Sequence, residues 1–214
     1  METEHVTEQP EAYDWPFVDA WFGPMSETEL EALGHPHFGA WALDRVAEEQ
    51  ALVRREAATG GTASEPYPHP HGLFVYGGHT FQNLMAETVL RSGPGEGGRG
   101  GLALIHGEDP ESDEILAVTV DWPEQRVALV RFQGEEEEEL AAEQVALSRD
   151  QWIRLHLRHV GAFPVVWVDG ECVLSYEEGG SHRSNSDRRL ALLSGSAPGP
   201  VFRNLRATEL ISTD

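Results

Sequence analysis

The stretch "VVWVDGECVLSYEEGG", Val165 to Gly180, has the pattern of a β-hairpin. An apolar run leads into Asp169-Gly170, and a second apolar run follows at once. Asp-Gly is favoured in two-residue hairpin turns because such turns need positive φ angles at their central positions. The stretch therefore predicts two antiparallel strands joined by a tight turn.

Short apolar segments separated by turn residues continue along the chain before this hairpin. Many short strands at close spacing are typical of a two-sheet sandwich. "HTFQNLMAETVLRSG" alternates apolar and polar residues from Leu84 to Arg91 and predicts one long strand. The five consecutive acids Glu135–Glu139 predict a solvated loop, since clustered carboxylates repel one another.

The N-terminal part of the chain predicts one short helix. Ser26 is a favourable N-cap, Glu29 completes a capping box, and Gly34 marks the end of the helix. The next segment is ambiguous, because "FGAWALD" and "QALVRREA" fit a hairpin whereas "LDRVAEEQALVRREA" also fits a helix. We predict an N-terminal extension over residues 1–34 and one β-sandwich over residues 35–214.

Composition excludes several classes of protein. The 214 residues carry a formal charge of −22, from 37 acidic and 15 basic side chains, and every basic residue is Arg. A P-loop and a pyridoxal Schiff base both need a Lys, so both are excluded. A strongly negative chain repels phosphate, and we therefore expect no nucleic-acid partner.

The sequence suggests neither a leader nor a membrane segment. "METEHVTEQPEAYDWPF" is acidic and lacks an apolar core, and no apolar run approaches the roughly 18 residues of a membrane span. We expect a cytoplasmic protein without a membrane partner. The one cysteine, Cys172, cannot form an internal disulfide, and its place in an apolar strand predicts a buried thiol.

Five segments of the chain together resemble a known superfamily. They are "FQNLMAETVLR", "GGLALI", "ILAVTVD…RVALVRF", "DQWIRLHLRHVG…VVWVDGECVLSY" and "LALLSGSAPGPVFRNLRATEL". Their order resembles the concanavalin A-like lectin/glucanase superfamily, in its laminin-G-like and 3-keto-disaccharide-hydrolase-like branches. The shared features are a Trp-led strand at Trp152, an Asp-Gly strand end at Val166–Gly170, and the Phe-Arg-Asn motif at Phe202–Leu205. The resemblance spans about residues 73–210 and implies an all-β, two-sheet jelly-roll sandwich.

The catalytic motifs of that superfamily are incomplete here. Laminarinase-type members carry Glu-x-Asp-x-x-Glu, but after Glu114 this chain has Leu116 and Thr119, so the carboxylate pair is absent. Gly98–Gly101 replaces the Asn-Ser-Gly of the 3-keto-disaccharide-hydrolase-like branch. "GPGEGG", Gly93–Gly98, matches a dinucleotide motif, but a strand rather than a helix is predicted after it, which favours a hairpin loop.

The most site-like feature is the polar face of the strand around residue 155. Alternation places Arg154, His156 and Arg158 on one face and leaves the apolar residues for the core. With Trp152 or Trp167 nearby, this face suits a sugar, and an Arg fork suits a uronate or sulfate group. The alternative is a solvent-facing strand with cross-strand Arg–Glu pairs, for which the candidate acids are Glu87, Glu171 and Glu177.

Two segments are candidate metal sites. His35/His37 and His69/His71 each place two imidazoles on one side of an extended chain, although Pro-flanked histidines are usually only polar loop residues. The loop "GEDPESDE" is rich in oxygen ligands and lacks the order of an EF-hand. The resemblance to laminin-G-like domains implies calcium at such a rim, where the candidate ligands are Glu108, Asp109 and Asp113.

Three functional hypotheses follow. The first is a carbohydrate-binding domain that uses Arg154, His156, Arg158, Trp167 and Glu87. The second is a saccharide-active hydrolase or lyase of 3-keto-disaccharide-hydrolase-like type, in which His79 or His106 would lie beside Glu87. The third is a partner-binding sandwich without a small ligand. The sequence leaves the oligomeric state open.

Overall fold

The computed structural model describes residues 17–46, 48–55, 71–93, 98–107, 114–134, 136–177, 187–195 and 199–210. This part of the chain contains one helix, α1 at Glu27–Leu33, and is otherwise built from strands. The strands before the middle of the chain are β1 Val18–Trp21, β2 Gly34–Phe38, β3 Ala40–Val46, β4 Glu49–Arg55, β5 Gly72–Phe81, β6 Leu84–Arg91, β7 Arg99–His106 and β8 Glu114–Asp121. Those after it are β9 Arg126–Gln133, β10 Glu136–Gln144, β11 Ile153–Val160, β12 Phe163–Val168, β13 Glu171–Ser175, β14 Arg188–Ser194, β15 Val201–Phe202 and β16 Asn204–Glu209.

The strands form two antiparallel sheets. One has the order β13-β12-β11-β6-β15-β4-β3, and β16 joins it by pairing with β6 and with β1. The other has the order β10-β9-β8-β7-β14-β5-β2. This arrangement confirms the predicted two-sheet jelly-roll sandwich with a short N-terminal helix.

The main core lies between the two sheets. Leu155 and Leu157 of β11 point into it, as the alternation predicts, and meet apolar residues of the facing sheet such as Leu104 and Leu116. A second apolar layer covers the other face of the seven-stranded sheet and includes Val75 and Phe132. The polar face of β11 is therefore left for the outer surface of the nine-stranded sheet.

Helix α1 begins at the predicted cap. The Glu29 amide donates to Ser26 Oγ at 3.3 Å, and the Ser26 amide donates to Glu29 Oε2 at 2.8 Å, which completes the capping box. The helix ends at Gly34, as predicted, but Gly34 is extended, with a φ of −175°. Gly34 is needed there because an added Cβ would lie 2.3 Å from the Val75 carbonyl oxygen.

Two of the predicted hairpins are present. β3 and β4 pair antiparallel from Ala40↔Arg55 to Val46↔Glu49, so the hairpin interpretation of this segment is correct and the helix is not. β12 and β13 flank the Asp169-Gly170 turn, whose φ angles of 50° and 88° are those that the Asp-Gly pair favours.

The long strand predicted for residues 79–93 is wrong, because the chain divides there between the two sheets. β5 ends at Phe81 in the seven-stranded sheet, and β6 starts at Leu84 in the nine-stranded sheet. Asn83 fixes the crossing, since its Oδ1 accepts from the Gly161 amide at 2.8 Å and its carbonyl accepts from the Leu210 amide at 2.9 Å.

The predicted acidic loop is also wrong, because Glu136–Gln144 forms the edge strand β10. Three of its carboxylates are paired with Arg side chains of the same sheet, which offsets the repulsion that favoured a loop. The Arg–Glu contacts are Arg99–Glu137 at 2.6 Å, Arg131–Glu138 at 3.1 Å and Arg126–Glu139 at 2.5 Å.

Cys172 is exposed, which contradicts the predicted buried thiol. The register slips between Val166 and Trp167, so that Leu174 lies opposite core-facing Val166 while Cys172 lies opposite Trp167 on the outer face. Partial burial of the sulfur nevertheless raises the pKa of the Cys172 thiol, because it disfavours the charged thiolate.

Residues 18–21 belong to the nine-stranded sheet. β1 pairs with β16 from Val18↔Ala207 to Trp21↔Asn204, and Phe22 is fully buried. The domain boundary at residue 34 stays a prediction. Within the described residues no helix has the length and apolar character needed to cross a membrane.

Candidate binding site

A row of side chains crosses the outer face of the nine-stranded sheet. Asp19 lies opposite Arg206, Arg206 opposite Glu87, Glu87 opposite His156, and His156 opposite Trp167. These residues come from β1, β16, β6, β11 and β12. Directly opposed residues of antiparallel strands share a face, so the sheet register alone brings them together.

Glu87 is the buried centre of this row. Its Oε2 lies 2.5 Å from His156 Nε2, and its Oε1 accepts from Asn204 Nδ2 at 3.1 Å. Arg154 Nε and Arg206 Nη1 lie farther away, at 3.7 and 3.9 Å from the two carboxylate oxygens. Glu87 is only 4% exposed, so this carboxylate depends on protein groups rather than water for its solvation.

The environment keeps Glu87 ionised at neutral pH. Burial acts to raise the pKa of Glu87, but the hydrogen bonds and charge of His156, the hydrogen bond from Asn204 and the charge of Arg154 together lower this pKa below its ordinary value. Asn204 is itself fixed, because its Oδ1 accepts from the Val89 amide at 2.6 Å and its carbonyl accepts from Thr88 Oγ1 at 2.7 Å. Glu87 is thus a fixed negative charge and a hydrogen-bond acceptor.

A cleft of about 490 Å³ opens above Glu87. The Asp169-Gly170 turn forms part of the wall of this cleft, and Asp169 makes two hydrogen bonds with the main chain of Arg154. Asp169 Oδ1 accepts from the Arg154 amide, and the Asp169 amide donates to the Arg154 carbonyl, each at 2.8 Å. The lining residues are Trp21, Glu87, Val89, Trp152, Arg154, His156, Asp169, Gly170, Arg203, Asn204 and Arg206.

One wall of the cleft is formed by the side chains of Trp21, Arg203 and Trp152, and we call it the aromatic wall. The Arg203 guanidinium carbon lies 4.7 Å from the Trp21 ring centre and 5.3 Å from that of Trp152, which is cation–π geometry. Arg203 Nη2 also donates to Glu49 Oε1 at 2.7 Å. Trp21 remains 46% exposed, so part of a large apolar ring faces solvent.

Comparison with solved structures identifies the fold. A carbohydrate-binding module CBM66 from Bacillus subtilis matches with a TM-score of 0.62 and 14% identity over 90% of this chain and 99% of that chain. The laminarinase catalytic domain from Thermotoga maritima matches with a TM-score of 0.62 and 10% identity over 94% of this chain and all of the other. The Emp46p carbohydrate recognition domain matches with a TM-score of 0.57 and 11% identity over 90% of this chain and 96% of that chain.

The chain has the jelly-roll fold of these three structures. No protein-family model and no curated protein sequence matches it. Identities of 10 to 14% establish the common fold and nothing about the ligand. The function of this jelly roll depends on the residues of its own site.

The structure brings together three of the five predicted ligand-binding residues. Glu87, Arg154 and His156 line the cleft. Trp167 lies opposite His156, but it is 2% exposed and outside the cleft lining. Arg158 lies farther along β11, opposite Met85, and is also outside the lining. That any of these residues binds a ligand stays a prediction.

Sequence reasoning missed much of the cleft as a binding surface. Asn204 and Arg203 lie in the Phe-Arg-Asn motif, which the family resemblance marks only as framework. Trp21 and Arg206 reach the cleft through the pairing of β1 with β16. The neighbouring aromatic residues Phe17, Trp21 and Phe22 indicate that the N-terminal segment packs on the domain, but they do not specify its partner strand.

The histidine beside Glu87 is His156 rather than His79 or His106. His79 stacks on Phe17 with ring centres 4.4 Å apart, and its Nε2 lies 3.5 Å from a Glu209 carboxylate oxygen. His106 Nε2 accepts from Arg188 Nε at 3.2 Å. The arrangement suggested for the enzyme hypothesis is therefore not the one that the jelly roll forms.

The calcium prediction falls on residues outside the described part of the chain. Glu108, Asp109 and Asp113 all lie there, and calcium stays a prediction. Glu114, the next residue, accepts from Arg131 Nε at 3.0 Å. His69 is also outside the described residues, within which no group of three or more His, Cys, Asp or Glu side chains is arranged to hold a metal. β7 follows the Gly-rich segment directly, so no helix is present at that point of the described chain for a dinucleotide site. The predicted hairpin loop is wrong as well, because β6 and β7 lie in different sheets and do not pair.

Proposed function

We propose that this jelly roll binds a saccharide in the cleft above Glu87. One observation carries the proposal: a buried, pre-organised polar floor made by Glu87, His156 and Asn204 lies in the same cleft as the exposed ring of Trp21. A sugar presents hydroxyl groups, which donate and accept, and an apolar face of C–H groups. Carboxylate and guanidinium groups suit the hydroxyls, and an indole suits the apolar face.

Arg154 supplies donors that the protein leaves available. Its side chain is 59% exposed, and its contact with Glu87 is longer than a hydrogen bond, at 3.7 Å. Its main chain is held on both sides by Asp169. The guanidinium therefore extends from a fixed backbone into the cleft, where a ligand hydroxyl or anionic group would complete its hydrogen bonds.

The similar structures support this proposal at the level of the fold. Their names describe a carbohydrate-binding module, a laminarinase catalytic domain and a carbohydrate recognition domain. Jelly rolls of this kind thus host both sugar binding and sugar hydrolysis, and the choice between them depends on the site.

The chemistry of Glu87 favours binding over two-carboxylate hydrolysis. A glycosidase of that type needs one protonated carboxyl to serve as general acid. Glu87 has a lowered pKa, and both of its oxygens are engaged by His156 and Asn204. Asp169, the other carboxylate in the lining, accepts a hydrogen bond from the Arg154 amide of β11. We therefore infer a binding domain.

A thermal-shift panel tests the proposal. Neutral, acidic and 3-keto sugars are each added at millimolar concentration, with calcium and again with a chelator. A ligand that binds only the folded state raises the melting temperature. We expect one sugar class to raise it and to be recovered unchanged afterwards.

If no sugar raises the melting temperature, the proposal is overturned and a partner-binding sandwich is favoured. Conversion of the sugar in the same wells would instead favour the hydrolase or lyase. A shift that requires calcium would support the predicted metal site at Glu108, Asp109 and Asp113.

A further inference from the structure

A second cleft lies on the other side of the aromatic wall. It has a volume of about 280 Å³. Trp21 and Arg203 line both clefts, so the two are neighbours that share one wall. The lining of the second cleft consists of Trp21, Gly23, Arg45, Glu48, Glu49, Gln50 and Arg203.

The shared wall is anchored in the sheet. The Arg203 amide donates to the Val89 carbonyl at 2.8 Å, and the Arg203 carbonyl accepts from the Phe22 amide at 3.0 Å. These bonds fix the main chain between β15 and β16, and the Arg203 side chain is held by Trp21, Trp152 and Glu49. The wall thus presents the Trp21 ring from a supported position rather than from a loose surface side chain.

The second cleft carries the polar groups that a ligand hydroxyl would contact. Arg45, Glu48 and Glu49 supply a guanidinium and two carboxylates. Glu49 uses Oε1 to accept from Arg203, while its buried Oε2 has no hydrogen-bond partner within the described residues. A buried carboxylate oxygen without a partner is uncommon and indicates a missing donor, such as water or a ligand hydroxyl.

We propose that the two clefts form one continuous site that accommodates an oligosaccharide chain, with successive sugar units on both sides of Trp21. This inference rests on the proposed saccharide function and specifies its ligand as a chain rather than a single sugar. Two adjoining polar clefts with an exposed indole between them suit a ligand that repeats the same hydroxyl pattern along its length. A monosaccharide would fill only one of them.

The test is the dependence of affinity on chain length. Cello-, laminari- and galacturonate oligosaccharides, each from the disaccharide to the hexasaccharide, are titrated calorimetrically. We expect one series to gain about ten-fold or more in affinity between the shortest and the longest members, since each added contact of ordinary strength contributes about a factor of ten. The gain should stop when both clefts are filled.

A variant of the second cleft separates its contribution. Arg45→Ala combined with Glu48→Gln removes charged groups from that cleft and leaves the Glu87 floor intact. We expect this variant to bind the disaccharide with the same affinity as the parent chain. Its affinity should no longer rise with the length of the oligosaccharide. Arg55→Ala, which removes an exposed Arg of the neighbouring strand outside both linings, is the matched control and should keep the gain.

The outcomes distinguish this inference from the proposed function. Equal affinity for the disaccharide and the hexasaccharide would overturn the continuous site and leave the saccharide function standing. A double variant that weakens binding of every chain length equally would also overturn the continuous site alone. No binding in any of the three series would overturn both.

Discussion

His156 Nε2 lies 2.5 Å from Glu87 Oε2, although 69 residues separate the two in the chain. The register of β11 against β6 places them directly opposite each other, and both are more than nine-tenths buried. Their contact is satisfied when His156 carries its proton on Nε2 and donates to the carboxylate. Register, rather than loop geometry, thus fixes the polar centre of the cleft.

Replacement of Glu87 by Gln should weaken both the fold and the site. His156, Arg154 and Arg206 would lose the negative charge that they surround, and we expect the free energy of unfolding at pH 7 to fall by about 1 to 3 kcal/mol. Urea denaturation measures this free energy. Glu31→Gln, on the exposed face of α1, is the control and should have nearly the same free energy of unfolding as the parent.

The same variant has a defined pH dependence. Because the folded pKa of Glu87 is lowered from its ordinary value of 4.5, its contribution to stability is complete above that value and is lost as the pH falls through the folded pKa. The difference in the free energy of unfolding between the parent chain and Glu87→Gln should therefore become smaller below pH 4.5. If this difference in the free energy of unfolding stays constant down to pH 3, the charge of Glu87 is not what stabilises the fold.

Local patterns predicted the elements but not their neighbours. The capping box at Ser26 and Glu29 and the Asp169-Gly170 turn were predicted correctly because the residues that decide each structure lie within a few positions of one another. The polar face of β11 was also predicted, since alternation depends on one strand alone. That alternation indicated Arg154 and His156, whereas Glu87 was a candidate cross-strand partner of this face.

The rest of the cleft depends on long-range pairing. Trp21 reaches it because β1 pairs with β16, and Asn204 because β16 pairs with β6. Nothing local in either segment specifies these partners. The acidic segment shows the same limit, since Glu137 pairs with Arg99, which lies 38 positions earlier in the sequence.

Removal of the Trp21 ring should abolish most of the saccharide binding. Trp21 is 46% exposed and lines both clefts, so Trp21→Ala removes the apolar surface on which a sugar ring would rest. We expect affinity to fall about ten-fold or more, with a small change in melting temperature. Phe163→Ala, which removes an aromatic ring of similar exposure outside both linings, should leave affinity unchanged. Equal losses in the two variants would mean that Trp21 is not a ligand contact.

Arg154 should decide the response to ligand charge. Arg206 is paired with Asp19 at 2.7 and 3.1 Å and Arg203 with Glu49, whereas Arg154 is exposed and only loosely paired. We expect Arg154→Gln to weaken binding of a uronate-containing oligosaccharide about ten-fold relative to its neutral methyl ester. Arg158→Gln, on the same strand and outside the cleft, is the matched control. If Arg154→Gln weakens both ligands equally, Arg154 contacts hydroxyl groups rather than an anion.

Gly34 should tolerate no side chain, for a steric reason. A Cβ at residue 34 would meet the Val75 carbonyl oxygen at 2.3 Å, so Gly34→Ala must push β2 away from β5. We expect the free energy of unfolding to fall by about 1 to 3 kcal/mol, as for other overpacked positions. At Gly77 the nearest atoms to an added Cβ are 3.9 Å away, and Gly77→Ala is the control that should stay close to the parent. A Gly34→Ala variant as stable as the parent would show that the strand can shift at little cost.

His159 should make the fold sensitive to mild acid. It is fully buried, and neither ring nitrogen has a hydrogen-bond partner within the described residues. Burial, together with the charges of Arg188 and His106, lowers the pKa of His159 from 6.5 to about 3. The unfolded chain therefore binds a proton between these values that the folded chain does not, and stability falls as the pH drops below 6.5. At pH 5 the loss should be about 2 kcal/mol.

His159→Leu removes this pH dependence with a side chain of similar size. We expect the variant to be at least as stable as the parent at pH 7.5, because neither ring nitrogen of His159 has a hydrogen-bond partner in the described part of the chain. At pH 5 we expect the variant to be more stable by about 2 kcal/mol. Urea denaturation at the two pH values gives the difference, and both values lie above the range in which Glu87 titrates. His35→Gln, at an exposed position on β2, should keep the acid sensitivity of the parent. If His159→Leu loses as much stability on acidification as the parent, His159 is protonated inside the fold and its charge is compensated there.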